Sequence, residues 1–96
     1  MRVKIGGNVQ RAKLINKVDP VYPNQARANG IHGTVRLHVI VAQNGSIRQI
    51  AVVSGDAALV QTTLDAVKPW RYRPTLLNGQ PVEVDSEVDV IFALKP

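Results

Sequence analysis

The sequence predicts an α+β fold, with one three-stranded antiparallel sheet and two helices packed on one face. Three observations predict it. Thr34 to Ala42 alternates apolar and polar residues, and Asn44-Gly45 turns it back into Ile47 to Ser54. Val82 to Leu94 alternates again: Val82, Val84, Val88, Val90, Phe92 and Leu94 share one parity, and Glu83, Asp85, Glu87 and Asp89 the other. Between them, Leu59 to Val67 has helical spacing. Period two marks strands with one buried face, and a period near 3.6 marks an amphipathic helix. A sheet and a helical layer then share one core.

The elements follow in order. Residues 1–17 read as a basic, partly extended arm, broken at Gly6-Gly7-Asn8, with weak alternation from Val9 to Val18. The folded domain runs over 18–96. Asp19-Pro20-Val21-Tyr22-Pro23 resets the chain, because each Pro disfavours helix in the residue before it. Pro23 suits a first helical position and Gly30 a stop, giving a short helix over 24–29 that Ala26 and Ile31 pin to the core. In the first strand, Val35, Leu37, Val39 and Val41 face the core, while Thr34, Arg36, His38 and Ile40 face water. Asn44 and Gly45 both tolerate positive φ, so a tight hairpin follows. Ile47 and Ile50 cannot share a face of a regular strand, which predicts a β-bulge near Arg48-Gln49. Ser54-Gly55-Asp56 offers a cap to a helix centred on Val60, Leu64 and Val67, which Pro69 stops at about Lys68. Arg36 and His38 match the acidic row of the last strand, which places the first strand in the middle and the last one at an edge.

Composition narrows the function. With 96 residues and 45% apolar content the chain supports one domain with a small core. It has no Cys, which excludes disulfides and Cys-based zinc sites. No apolar run is long enough to span a membrane, and the Met1-Arg2-Val3-Lys4 start lacks a signal core. The net charge is +5, yet Arg2, Lys4, Arg11, Lys13 and Lys17 supply the excess, and the remainder holds seven bases against seven acids. Such a distribution describes a solvated or interacting arm and argues against a nucleic-acid partner. His32, His38 and the serines fall in no nucleophile motif, so no catalytic residue is expected. The acidic row lies along a strand and does not wrap an ion, so no metal and no cofactor is expected.

The remaining signal is the last strand with the aromatics. Trp70 and Tyr72 stand one residue apart after the helix and point the same way, over the sheet edge beside Phe92. An edge strand with open N–H and C=O groups invites pairing, and Lys95-Pro96 closes the chain as a gatekeeper. A peptide could add there, with Val88, Asp89, Val90, Ile91, Phe92, Ala93 and Leu94 as the gripping backbone and Trp70 and Tyr72 as support. Pro at Val90 or Phe92 is expected to remove a donor from that edge.

These pieces together resemble the C-terminal domain of TonB-type energy transducers. Tyr22-Pro23 with Ala26 resembles its opening helix, Gly33-Thr34-Val35 its first strand, Asn44-Gly45 its hairpin and Val52-Val53-Ser54 its second strand. Ala66-Val67 through Trp70-Arg71-Tyr72-Arg73-Pro74 is similar to its most distinctive signature, and Asn78-Gly79-Gln80-Pro81-Val82 leads into its final strand. The resemblance implies a TonB/TolA C-terminal-like fold and a non-enzymatic periplasmic domain. An N-terminal helix and a proline-rich spacer, absent from this chain, would tether it to the inner membrane. It implies work with the ExbB–ExbD proton-driven motor through that absent region. The last strand would grip the TonB box of an outer-membrane receptor by strand addition. Two alternatives use the same fold: a self-associating module that pairs or exchanges its edge strand to give a homodimer, and a cell-wall-binding module.

Overall fold

The structure is a computed structural model that describes residues 1–95, so Pro96 of the expected gatekeeper lies outside the described residues. Ten elements follow in order: β1 (Arg2–Lys4), α1 (Gly7–Arg11), β2 (Leu14–Asn16), α2 (Asn24–Ala28), β3 (Gly33–Val41), β4 (Ile47–Ser54), α3 (Ala57–Val67), β5 (Arg71–Tyr72), β6 (Thr75–Leu77) and β7 (Gln80–Phe92).

The α+β class stands. Three antiparallel strands carry the sheet, with β3 in the middle, β4 on one side and β7 on the other. Two short strands extend it: β1 pairs parallel to β7 from Glu83 to Asp85, and β6 forms a hairpin with β7. A separate two-stranded ladder joins β2 to β5. Among the described residues there are three helices where two were expected. The additional one, α1, lies in the basic arm, where Gly7 begins a helix and does not end an extended one. These arm elements are too short to hold by propensity, so packing on β7 and β5 holds them.

The turns follow their local chemistry. Asn78 and Gly79 both take positive φ, 52° and 79°, the twist that suits a two-residue hairpin. At Asn44-Gly45 only Gly45 does so, at 89°, while the Asn44 side chain accepts from the Ser46 N–H and hydroxyl. Pro23 sits at the N-cap of α2 with extended ψ, one position before its expected place. Asp56 caps α3, accepting from the Ala58 N–H at 2.9 Å. The buried stripe of α3 is Leu59, Thr63, Ala66 and Val67, so Val60 and Leu64 lie at its border and not at its centre.

The core joins Val35, Leu37, Val39 and Val41 of β3 to Val84, Val88, Val90 and Phe92 of β7, under Leu59, Val67, Trp70 and Tyr72. The register shifts at Arg48, between Ile40↔Gln49 and Val41↔Ile47, so both Ile47 and Ile50 reach this core. A second shift leaves Val53 as an extra residue. Ile40 departs from expectation: it is buried on the charged face, in register between Asp85 and Gln49. Leu94 falls beyond the strand and is exposed. Gln10 of α1 is 1% exposed, and neither of its amide atoms has a partner among the described residues.

Candidate peptide-binding groove

Not all of β7 is an open edge. β1 covers its outer side from Glu83 to Asp85, while β6 pairs with Gln80 to Val82 on the side of β7 that faces β3. Beyond Asp85 no strand pairs with its outer side among the described residues. The ladder between β3 and β7 runs from Gly33↔Phe92 to Val41↔Val84 without a shift, so side chains and backbone groups alternate strictly. The Glu83 N–H donates to the Met1 carbonyl, and the Asp85 carbonyl accepts from Ile5, so odd-numbered residues turn their backbone groups outward. By the same alternation Glu87, Asp89 and Ile91 turn N–H and C=O outward; Gly7 packs against the Glu87 carbonyl, which leaves Asp89 and Ile91 open. Val88, Val90 and Phe92 direct theirs to β3. The proline test expected from sequence therefore moves: Pro at Val90 would cut the internal ladder, while Pro at Ile91 would remove an outward donor.

A groove of about 670 Å³ runs beside this edge. Gly7, Asn8 and Arg11 of α1 with Leu14, Lys17 and Pro20 form its outer wall. Trp70, Tyr72 and the core-facing residues of β7 form its floor. The wall stands close to the strand: a Cβ on Gly7 would come within 2.8 Å of the Glu87 carbonyl oxygen. Trp70 and Tyr72 are 4% and 3% exposed. The Trp70 indole donates to the Val18 carbonyl at 2.9 Å, which ties the floor to the wall. Tyr72 pairs with Leu14 across β2 and β5, and its N–H donates to the Gly45 carbonyl. A side chain at Gly45 would overlap the Tyr72 carbonyl, so glycine there serves close approach as well as positive φ. The aromatic neighbour of Phe92 is Tyr22, edge-on at 5.3 Å between ring centres, and not Trp70 or Tyr72 as expected. Tyr22 in turn donates to the Ile31 carbonyl and lies under the Arg27 guanidinium.

The charges around the edge are largely paired. Arg36 donates two hydrogen bonds to Asp89, at 2.9 and 3.1 Å, and lies 3.7 Å from Glu87. The pair faces across a position where alternation brings side chains close. Hydrogen bonding from Arg36 holds the Asp89 carboxyl below its ordinary range, and the same bond raises Arg36. His38 reaches Asp85 at 2.7 Å, diagonal to its register partner Glu87. Glu83 accepts from Arg48 and Arg2, and these bonds lower its pKa. Lys17 lies 3.4 Å from Asp19.

The structure therefore brings Val88, Asp89, Val90, Ile91, Phe92, Ala93, Trp70 and Tyr72 around one groove and leaves Leu94 outside its lining. Ile91 is 72% exposed. The sequence reading missed Tyr22, Arg11 and Lys17. Tyr22 was visible as one of four aromatics, but only as part of a helix start. Arg11 and Lys17 were read as solvated charge, and nothing local places them against a strand some seventy residues later.

Comparison with known proteins agrees with this architecture. Residues 18–94 match the family described as Gram-negative bacterial TonB protein C-terminal. The chain is 38% identical over 90 residues to Protein TonB of Vibrio cholerae serotype O1, covering 91% of this chain and 37% of that protein. It is 33% identical over 81 residues to Protein TonB of Xanthomonas campestris pv. campestris, covering 82% of this chain and 36% of that protein. The chain thus spans little more than a third of the relatives it matches. The solution NMR structure of the Pseudomonas aeruginosa TonB C-terminal domain superposes with a TM-score of 0.73 at 26% identity, covering 88% of this chain and 87% of that one. The TonB2 protein from Vibrio anguillarum superposes with a TM-score of 0.67 at 29% identity, covering 91% and 85%. The chain belongs to the family of Gram-negative bacterial TonB protein C-terminal domains.

Proposed function

We propose that this domain is a non-enzymatic capture module, which takes a short extended segment of a partner as an added strand on the outer side of β7. The observation that carries the reading is the bulge-free run from Glu87 to Phe92, beside a groove with an aromatic floor. Main-chain bonds to Asp89 and Ile91 supply affinity, and alternate side chains of the segment enter the groove. Family membership supports the wider role of TonB-type energy transduction. In that role the segment is the TonB box of an outer-membrane receptor. The domain works in the periplasm, tethered to the inner membrane and driven through ExbB–ExbD by regions outside this chain. The gripping residues are Val88 to Leu94 with Trp70 and Tyr72.

The test is an NMR titration of the labelled chain with a TonB-box peptide from a receptor of the same organism. Amide shifts centred on Asp89 and Ile91 are expected. Ile91→Pro should remain folded and weaken capture by more than about tenfold, the worth of a strong edge hydrogen bond with its neighbours. Unchanged affinity in the folded Ile91→Pro chain would remove strand addition. The open edge equally suits a second copy of the chain, and a concentration-dependent mass in sedimentation equilibrium would favour that reading.

A further inference from the structure

The charge excess is not spread evenly over the fold. On the open face of the sheet the arginines are matched: Arg2 and Arg48 meet Glu83, and Arg36 meets Asp89. The β2–β5 ladder is different. Residues 11–16 and 68–77, which form it and its flanks, hold Arg11, Lys13, Lys68, Arg71 and Arg73 and no acid. None of the five forms an ion pair among the described residues. Tyr72 turns into the core, so its neighbours Arg71 and Arg73 stand on the outer face and are exposed. The main chain gathers them. The Arg73 N–H donates to the Lys13 carbonyl at 2.8 Å, and the Arg73 guanidinium to the Ala12 carbonyl at 3.3 Å. Such carbonyl contacts position a guanidinium without neutralising it, and they leave it further donors for an anion.

Beside these cations stands an apolar tip. The β3–β7 ladder stops at Val41↔Val84, and β6 pairs with β7 beyond it, from Gln80 to Val82. The hairpin therefore projects past that end of the ladder. Leu76 is 60% exposed and Leu77 39%. Consecutive strand residues point to opposite faces, so the hairpin carries bare aliphatic side chain on both. Pro81, the register partner of Leu76, is exposed as well. Lys13 joins the two features, because its Nζ donates to the Thr75 hydroxyl at the hairpin base at 2.9 Å. From Lys68 to Val82 there is no acid, and Glu83, next along the chain, is matched by Arg2 and Arg48. An uncharged apolar tip thus stands on a collar of unmatched cations.

We propose that this end of the molecule is a docking surface for an anionic phospholipid bilayer. Leu76 and Leu77 enter the interface, and Lys13, Arg71 and Arg73 meet the headgroup phosphates. Exposed aliphatic groups gain nothing from a soluble polyanion, and a glycan or nucleic acid offers no apolar phase to receive them. A protein surface covers one face of a hairpin, whereas a bilayer surrounds the tip and covers both. Charge attracts the collar to an anionic leaflet, and burial of the leucines holds it there. From Val82 to Ile91 is about 30 Å at strand rise, so docking and strand addition use separate places and neither rests on the other.

The test uses the full chain with two kinds of vesicle, phosphatidylcholine alone and phosphatidylcholine with about one third phosphatidylglycerol, read by co-sedimentation. Partition into the anionic vesicles should be more than about tenfold the stronger, at about fivefold for each cation that reaches the surface. Arg71→Gln and Arg73→Gln should each lower it about fivefold. Lys95→Gln, past the opposite end of β7, should lower it by less than about twofold. Leu76→Ser combined with Leu77→Ser should lower it about tenfold with every cation kept. All these side chains are exposed, and unchanged β3 and β7 amide signals would show that the variants fold. Spin-labelled lipid gives a second reading: it should broaden the Leu76 and Leu77 methyl signals and spare Ile91. Equal partition into the two vesicles would overturn the proposal, as would a Leu76→Ser, Leu77→Ser chain that binds undiminished. An equal loss from Lys95→Gln would reduce the effect to net charge and overturn the surface. Release from the vesicles by polyglutamate at matched charge would overturn it in favour of an acidic protein. A concentration-dependent mass that the double leucine variant abolishes would overturn it in favour of a second copy of the chain.

Discussion

The sheet has β4 on one flank and β7 on the other, and both carry apolar runs: Ile50-Ala51-Val52-Val53 on β4 and Val90-Ile91-Phe92 on β7. Two bulges interrupt β4, at Arg48 and at Val53, so only Gln49 to Val52 is regular strand. Bulges twist an edge away from any incoming chain. On β7 there is no bulge, and the stretch that stays open is bordered by a groove whose wall comes from the N-terminal arm. Its protection is by coverage, from β1, and by charge, from Glu87 and Asp89. The lesson is that a small sheet can leave one edge usable only by blunting the other, and the device differs on each flank because the need differs.

The largest contrast should come from prolines on β7. Val90→Pro removes an N–H that bonds β3 and should cost on the order of 3 kcal/mol in urea unfolding, with cooperative folding weakened. Ile91→Pro at the neighbouring position should change stability by less than about 1 kcal/mol, since its N–H faces outward. Equal costs would show that the alternation is misassigned. On the other flank, deleting Val53 should extend the regular stretch of β4 from Gln49 through Ser54. Reversible self-association is then expected, seen as a concentration-dependent sedimentation coefficient that the unaltered β4 edge does not produce. Within the cover of β7, Gln10→Met should stabilise the domain by about 1 kcal/mol in thermal or urea unfolding. It removes a buried amide without partners while keeping its volume. No gain would mean that bound water satisfies Gln10.

The smallest effect is electrostatic. Asp89 has its carboxyl pKa depressed in the folded state, so its contribution is fully present above the ordinary carboxylate range and is lost as pH falls through the folded value. Between pH 5 and pH 2 the parent chain should therefore lose slightly more stability than Asp89→Asn, and 1 M salt should narrow the gap. An identical acid profile for the two chains would assign the Arg36–Asp89 pair no role in stability.

Much of this comparison was legible in the sequence, for identifiable reasons. The bulge at Arg48 followed from the parity of Ile47 and Ile50, and the place of β3 followed from Arg36 and His38 opposite an acidic row. Both signals are short-range patterns with a fixed physical meaning. The cover over Glu83 to Asp85 was not legible. β1 and α1 are three and five residues long, and α1 buries Gln10 while exposing Val9, the reverse of what hydropathy predicts. Such elements exist only through contacts with residues some eighty positions away. The direction in which each β7 amide points was also out of reach, because it depends on register and not on residue type. The candidate groove was legible in its floor, through Trp70 and Tyr72, and not in its wall.

The 13 residues of β7 make it the longest element, about 43 Å at strand rise, in a molecule whose long axis is 50 Å. It is a spine. The chain enters beside one part of it, at Glu83, and the open stretch lies about 26 Å farther along, near Ile91. Tension between an entering chain and a strand seated at Ile91 would travel along the covalent backbone of β7 and load the flanking hydrogen bonds in shear. The apolar core, and the helices resting on it, would lie outside that path. A chain of 96 residues could then carry a pull without its core having to bear it.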